Sequence, residues 1–170
     1  MPVTSMIRLA RVDFETTDPA QLRAAVRLPQ VLQPLPHSMV LRVAVAVGRN
    51  APESRDFVLR EIPQPVELAG EVRAEERIFA YRLDDADVPR VSAFRSELIA
   101  RKRDGRGGAI AISVVPRACK VAELPDGPIL FTTYLRTAET VDYVAVARDV
   151  DLRTLLHGRD IAADTPRCGV

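Results

Sequence analysis

Residues 84–116 constrain the fold most, because three elements can be read from them in order. The spacing predicts a helix, then a glycine-rich turn, then a buried strand. Asp87 stands where its carboxylate can accept from the free N–H groups of a helix's first turn. Pro89 follows in that turn, where a missing N–H costs nothing. Val88, Val91, Phe94 and Leu98 recur at helical spacing, with Ile99 beside them, and define one apolar face. Arg101, Lys102 and Arg103 fall in the last turn, where cations suit the negative end of the helix dipole. Gly105 is placed to stop the helix in a left-handed conformation. After Gly107 and Gly108, the large Ile110, Ile112 and Val114 alternate with the small Ala109, Ala111 and Ser113. Large on one side and small on the other suits a strand pressed between two layers.

Elsewhere strand patterns dominate. Met39, Leu41, Val43, Val45 and Val47 alternate cleanly, while Arg42 marks the opposite face as partly wet. Residues 48–55 have the composition of a hairpin turn, leading to a second run over 57–62. A third run, 78–83, ends at the helix. Runs over 129–135 and 141–147 form an expected antiparallel pair around the polar loop 136–140. Residues 18–28 are ambiguous. Asp18, Pro19 and Gln21 read as a helix start, but Leu22, Ala24, Val26 and Leu28 alternate against Arg23, Ala25 and Arg27 as in a strand. The strand reading is preferred, because Pro29 follows at once. Residues 29–36 hold three prolines and should be extended and irregular. Residues 149–157 suggest one or two helical turns.

The chain's 170 residues, 47% hydrophobic, suffice for one domain with its own core. The expected fold spans 1–170 as a single β-rich α+β domain, a two-layer antiparallel β-sandwich with one inserted amphipathic helix. The alternative is a single mixed sheet with both helices on one face. Lys and Arg number 24 against 23 Asp and Glu, a net charge of +1, which gives no general attraction to nucleic acid or anionic lipid. No run approaches the ~20 apolar residues needed to span a bilayer, and the first residues lack a signal-peptide core. The expected compartment is therefore the cytoplasm as written, or the periplasm or exterior if an export signal preceded this sequence. Aromatic residues are 5% with no Trp, so stacking surfaces for sugars or single-stranded nucleic acid are not expected.

Catalytic chemistry has little to work with. The two histidines, His37 and His157, read as a loop residue and a helix-end residue, and no serine sits in a nucleophile elbow. No C-x-x-C or H-x-x-x-H pair starts a metal site, and no cofactor is implied. Asp84, Asp85 and Asp87 cluster without calcium-loop spacing. Cys119 and Cys168 are either two free thiols or one disulfide tying the tail to the end of a strand, the latter only in an oxidising compartment. Cys119 beside Lys120 and Arg117 lacks a histidine to make it a nucleophile.

Arg101, Lys102, Arg103 and Arg106, around Gly105, Gly107 and Gly108, are the best candidate anion site. Their order is wrong for a P-loop, since the glycines follow a helix C-terminus rather than precede an N-terminus. No motif identifies a family. The architecture resembles, in general type only, small bacterial β-sandwich accessory domains that act by contact. Two functions are therefore expected in competition. The preferred one is a non-enzymatic binding domain that meets a protein partner through a sheet face or edge. The other is a small anionic-ligand binder or enzyme using loop 101–108.

Overall fold

The computed structural model describes residues 14–115, 117–155 and 159–169. Among these, the chain runs β1 (Arg23–Pro29), β2 (Leu32–Pro34), β3 (Val40–Ala46), β4 (Glu53–Ile62), β5 (Glu76–Leu83), α1 (Asp87–Arg103), β6 (Ala109–Val115), β7 (Ala118–Lys120), β8 (Leu130–Arg136), β9 (Val144–Asp151), α2 (Leu152–Leu155) and α3 (Ile161–Asp164). Short 3₁₀ turns precede β1 and β5, at Pro19–Gln21 and Val66–Glu71.

Seven strands form one curled antiparallel sheet in the order β6-β3-β4-β5-β1-β8-β9, and β2 pairs with β7 in a separate ribbon. The domain is β-rich α+β, as expected, but the strands do not divide into two stacked sheets. The reason lies in β4. Its ten residues serve two neighbours: 53–58 pair with β3, and 59–62 pair with β5. The strands expected to form two layers are thereby hydrogen-bonded into one sheet, which buries its apolar side by curling around it. Residue alternation reports which side of a strand is apolar; it does not report that one strand belongs to both halves. The alternative expectation, a mixed sheet, also differs from the observed ladder, in which every pairing is antiparallel.

The inner face of the curl holds the main core. Leu41, Val43 and Val45 of β3, Phe57 and Leu59 of β4, Leu83 of β5, Val26 of β1 and Phe131 of β8 pack there with Val91, Phe94 and Leu98 of α1. The helix lies over β4, with Phe94 between Phe14 and Phe57 and the Arg55 guanidinium 4.2 Å above its ring. Its apolar face is thus the one the spacing marks, and Val88 and the partly buried positions flank it. On the outer face, Leu68 from the second 3₁₀ turn covers Ala25, Ile78, Ala80 and Tyr134 in a smaller core.

The start of α1 differs from expectation. Asp87 is the first helical residue rather than the cap, and Ala86 at the cap makes no side-chain bond. The Asp87 carboxylate is buried and accepts from the Val58 N–H of β4 and from Arg90. A backbone donor at the point where β4 changes partners outcompetes helix N–H groups that water can reach. Asp84 takes the local role, its Oδ1 accepting from Ala86 N at 3.0 Å.

Residues 18–28 satisfy both readings in turn. Asp18 caps the 3₁₀ turn by accepting from Ala20 N, and β1 follows as the strand. β9 begins three residues later than the alternation implies, because Val141 adopts φ 64° and the turn closed by Thr137 and Thr140 extends to Tyr143. Of the helical turns expected over 149–157, residues 149–151 instead end β9, where Arg27 and Arg73 hold Asp149, and 152–155 form one turn; His157 lies outside the described residues.

Candidate functional site

Four features compete as sites: the basic loop after α1, the cleft where β4 changes neighbours, a buried arginine cluster, and the two sheet edges.

The basic loop lies against the end of β3. Gly107 and Gly108 bring the chain back along Ala46 so closely that a Cβ at Gly108 would sit 2.3 Å from the Ala46 carbonyl oxygen. Arg101, Lys102 and Arg106 line one concavity of about 480 Å³ with Leu98, Val45 and Ile110. The sequence reading groups Arg103 with these three cations, and Arg103 does not line the concavity. That reading also misses the partners of the three. Arg101 meets Glu53 at 2.9 Å and also Glu97; Lys102 meets Glu15 at 3.0 Å; Arg106 meets Asp104 at 3.1 Å. The hydrogen bond from Arg101 holds the Glu53 carboxyl below its usual value, and the same contact raises Arg101. Arg103 points to solvent and forms no ion pair among the described residues. The loop is therefore close to charge balance as folded.

The second concavity, about 750 Å³, opens between residues 33–39 and the paired ends of β4 and β5. It exists because β3 begins only at Val40, opposite Val58, while β4 continues to Ile62 beside β5, so the chain before β3 splays from β4. Leu35, Met39, Leu59 and Phe79 supply apolar walls; His37, Arg60, Glu61 and Asp84 supply polar ones. Tyr81 also lines it, is 4% exposed, and has a hydroxyl that is buried without a hydrogen-bond partner. Burial first, and then the nearby Glu61 charge, push the Tyr81 phenol well above its usual value, so it stays protonated. His37 holds φ 56°, a conformation uncommon outside glycine.

The third feature is Arg27 of β1, an interior strand of the sheet, 2% exposed. Its guanidinium donates to Tyr134 Oη at 2.9 Å, Thr132 Oγ1 at 3.1 Å, Glu71 Oε2 at 3.0 Å and Asp149 Oδ1 at 3.0 Å. Its Nε stands 2.9 Å from Glu76 Oε2, an ion pair whose angle is poor for a hydrogen bond. Arg73 and Arg148 complete the cluster against Asp149 and Glu71. The outer-face pattern Arg23, Ala25, Arg27 contained the residue but not its depth, which comes from the 3₁₀ turn folded over it. Fully shared among partners, it reads as structure rather than as a site.

The other candidates separate. Asp84, Asp85 and Asp87 go to separate partners: Asp84 to Ala86 N, Asp85 to Arg82 and Arg60, and Asp87 to Val58 N and Arg90. No group of three His, Cys, Asp or Glu side chains suited to a metal ion occurs among the described residues. Cys119 and Cys168 stand 2.02 Å apart, sulfur to sulfur, as a disulfide joining β7 to the C-terminal segment. Lys120 N donates to Pro166 O and Cys168 N to Lys120 O beside it. Such a pair is compatible with an oxidising compartment. No helix among the described residues is long and apolar enough to cross a membrane.

The sheet has two edges that differ in kind. β9 is irregular against β8, with register shifts near Thr133, and carries Arg148 and an Asp149 at φ 50°. β6 pairs with β3 without a break from Ala109↔Ala46 to Val115↔Val40, and contains no charged residue. Compared with known proteins, the chain matches no family, no curated protein and no solved structure.

Proposed function

We propose that this protein is a non-enzymatic binding domain that takes up an extended segment of a partner protein along β6. One observation carries the reading: the asymmetry of the two edges. Exposed edges invite pairing with other chains, and folded proteins blunt them with bulges, charges and prolines. β9 is blunted in this way and β6 is not. Among the described residues, β6 has a strand only on its β3 side. Ala109, Ala111 and Ser113 lie beside Ala46, Ala44 and Arg42 of β3; Ala109 is exposed, Ala111 partly so and Ser113 buried, and all three side chains are small enough for a second backbone to come close at the Ala109 end. Strand addition then draws affinity from backbone hydrogen bonds and specificity from alternate side chains.

Peptides selected against the immobilised protein test this. Amide exchange on the complex should show new protection concentrated in β6. Ala111→Lys, a charge on that edge, should weaken binding by about ten-fold or more, while Val144→Lys on β9 should leave it unchanged. Protection mapped away from β6, or binding indifferent to Ala111→Lys, refutes the reading.

The competing reading, anion binding at 101–108, has the concavity in its favour. Against it stand the carboxylates of Glu15, Glu53, Glu97 and Asp104, which an anion must displace. A saturable micromolar affinity for one phosphorylated metabolite, lost when Arg103 and Arg106 become Ala, would favour it over the first.

A further inference from the structure

We infer that the cleft between residues 33–39 and the ends of β4 and β5 binds a small organic ammonium ion with an apolar body, Glu61 meeting the charge and Phe79 and Tyr81 the body. The inference stands on a different surface from strand addition and does not depend on it.

Size and shape come first. About 750 Å³ falls in the range of small-ligand sites, which combine apolar walls with a few convergent polar groups. Leu35, Met39, Leu59 and Phe79 form such walls.

The sign of the ligand follows from the balance of charge. In the basic loop every lining cation is matched by a carboxylate, so that concavity asks for no ion. In this cleft the balance fails on the acidic side. Arg60 is drawn towards Asp85, 3.6 Å away, and Asp84 already accepts from Ala86 N. Glu61 has neither an ion pair nor a hydrogen bond among the described residues, and it faces Tyr81 across the β4–β5 ladder. A cation placed there meets an unmatched carboxylate and the rings of Tyr81 and Phe79, whose faces attract cations. An anion meets Glu61 and Asp84 and is repelled.

The Tyr81 hydroxyl supplies the second observation. Buried polar groups almost always have partners, and one that lacks them asks for an explanation. This hydroxyl is unpartnered in a residue of the cleft wall. The hydroxyl is buried as the wall stands, so a polar group on the ligand, or water that the ligand orders, would complete it by a small opening of that wall. The ammonium can belong to a free amine or to a lysine side chain of a peptide, since both present the same chemistry.

The test uses the full chain and benzylammonium as probe, with benzyl alcohol and benzoate as isosteres of different charge and an acetylated, amidated lysine peptide as the second source. Binding is read by calorimetry and by amide shifts at residues 35–39, 59–61 and 79–81. Benzylammonium or the lysine peptide should bind saturably, and benzyl alcohol more weakly by about five-fold. Glu61→Gln should remove that preference, weakening the ammonium ligand about three- to five-fold and leaving the alcohol unchanged. Tyr81→Phe should weaken the ammonium ligand about two-fold or more without lowering the melting temperature, because it deletes an unsatisfied hydroxyl. Saturation by the peptide alone assigns the source as lysine; saturation by benzylammonium assigns it as a free amine. No saturable binding of either, equal binding of the three isosteres, or indifference to Glu61→Gln overturns the inference. Because the folded Tyr81→Phe and Glu61→Gln proteins can be checked by melting, a null result is not a failure to fold.

Discussion

Replacing Arg27 with methionine tests whether the buried cluster holds β1 and its neighbours together. Methionine fills much of the same space, so the experiment removes charge and hydrogen bonds rather than volume. The loss is set by what is left behind. Glu71 and Asp149 are 33% and 36% exposed and keep Arg148 and Arg73 at 3.2 and 3.1 Å, so both can rehydrate or re-pair. Glu76 is 18% exposed and has only Arg27 within ion-pair distance among the described residues. Removing one partner of a buried pair costs about 3–5 kcal/mol. With two of three carboxylates rescued, the lower end applies, about 3 kcal/mol. Adding Glu76→Gln should restore about 1–2 kcal/mol, since the stranded charge disappears with its partner. Urea melts of the two single variants and the double close the cycle. An Arg27→Met protein within about 1 kcal/mol of wild type, or a double variant no better than the single, would refute the assignment of the cluster as a structural tie. Acid titration adds a second check. Hydrogen bonds from Arg148 and Tyr134 hold the Glu71 carboxyl below its usual 4.5; Asp149, despite an opposing effect of burial, is held below 3.8 by Arg73 and Arg27. Between the unfolded and folded values the unfolded chain binds more protons, so this stability is present above pH 4.5 and is lost as pH falls through the lowered values. Arg27→Met should flatten part of that acid slope.

Asp87→Ala should cost about 1–3 kcal/mol, because the partly buried Val58 N–H loses its acceptor, whereas Asp87→Asn keeps an acceptor there and should cost clearly less in the same urea melts; equal losses would put the effect back in helix capping. Phe94→Ala should cost about 3–5 kcal/mol, since the ring is buried between Phe14 and Phe57; a negligible change would remove the assignment of the helix's core face. Reducing Cys119–Cys168 opens a loop of 49 residues' separation, worth roughly 4 kcal/mol by chain entropy, and should lower the melting temperature on the order of 10 °C; two free thiols in protein from an oxidising compartment would contradict the bond. Burial raises all three phenols, Tyr134 to about 12 with help from Glu71, so phenolate absorbance in the native protein should lag behind that of the urea-unfolded chain, and stability should be full below the unfolded value of 10.0 and fall as pH rises from there towards 12. Superimposable titrations of the two states would show the phenols to be exposed.

The sequence made the secondary structure legible where one face of an element is apolar and the other is not. Met39 to Val45 and Val88 to Leu98 carry that contrast, and β3 and α1 follow it. It fails where order depends on distant partners. β7 has three residues and exists by pairing Cys119 with Gln33; the turn at Val66–Glu71 is recognised only once Leu68 covers β5. The basic loop was legible as a cluster of like charge, because its residues are neighbours in sequence. Its neutralisation was not, because Glu15 and Glu53 arrive from segments about 50 to 90 residues away. The cleft was the least legible of all: Tyr81 and Phe79 look like ordinary strand residues, and His37 like an ordinary loop residue.

One cause underlies several of these outcomes. β4 is long enough to serve two neighbours, and it changes from β3 to β5 between Val58 and Leu59. That exchange joins the two halves into one curled sheet in place of two layers. It orients the Val58 N–H towards the start of α1, where no strand can receive it, and Asp87 is drawn from helix capping to accept it. On the other side of the same junction, β4 continues past the first residue of β3, and the gap before β3 is the cleft beside Glu61 and Tyr81. A change at the junction should therefore be felt at both places. Val58→Pro deletes the N–H that Asp87 receives and disturbs the strand that forms the cleft wall. It should destabilise α1 and broaden the amide signals of residues 59–61 and 79–81 together. If amide exchange showed the helix start loosened while the β4–β5 end kept its protection, the two features would be independent, and the shared strand would not be their common origin.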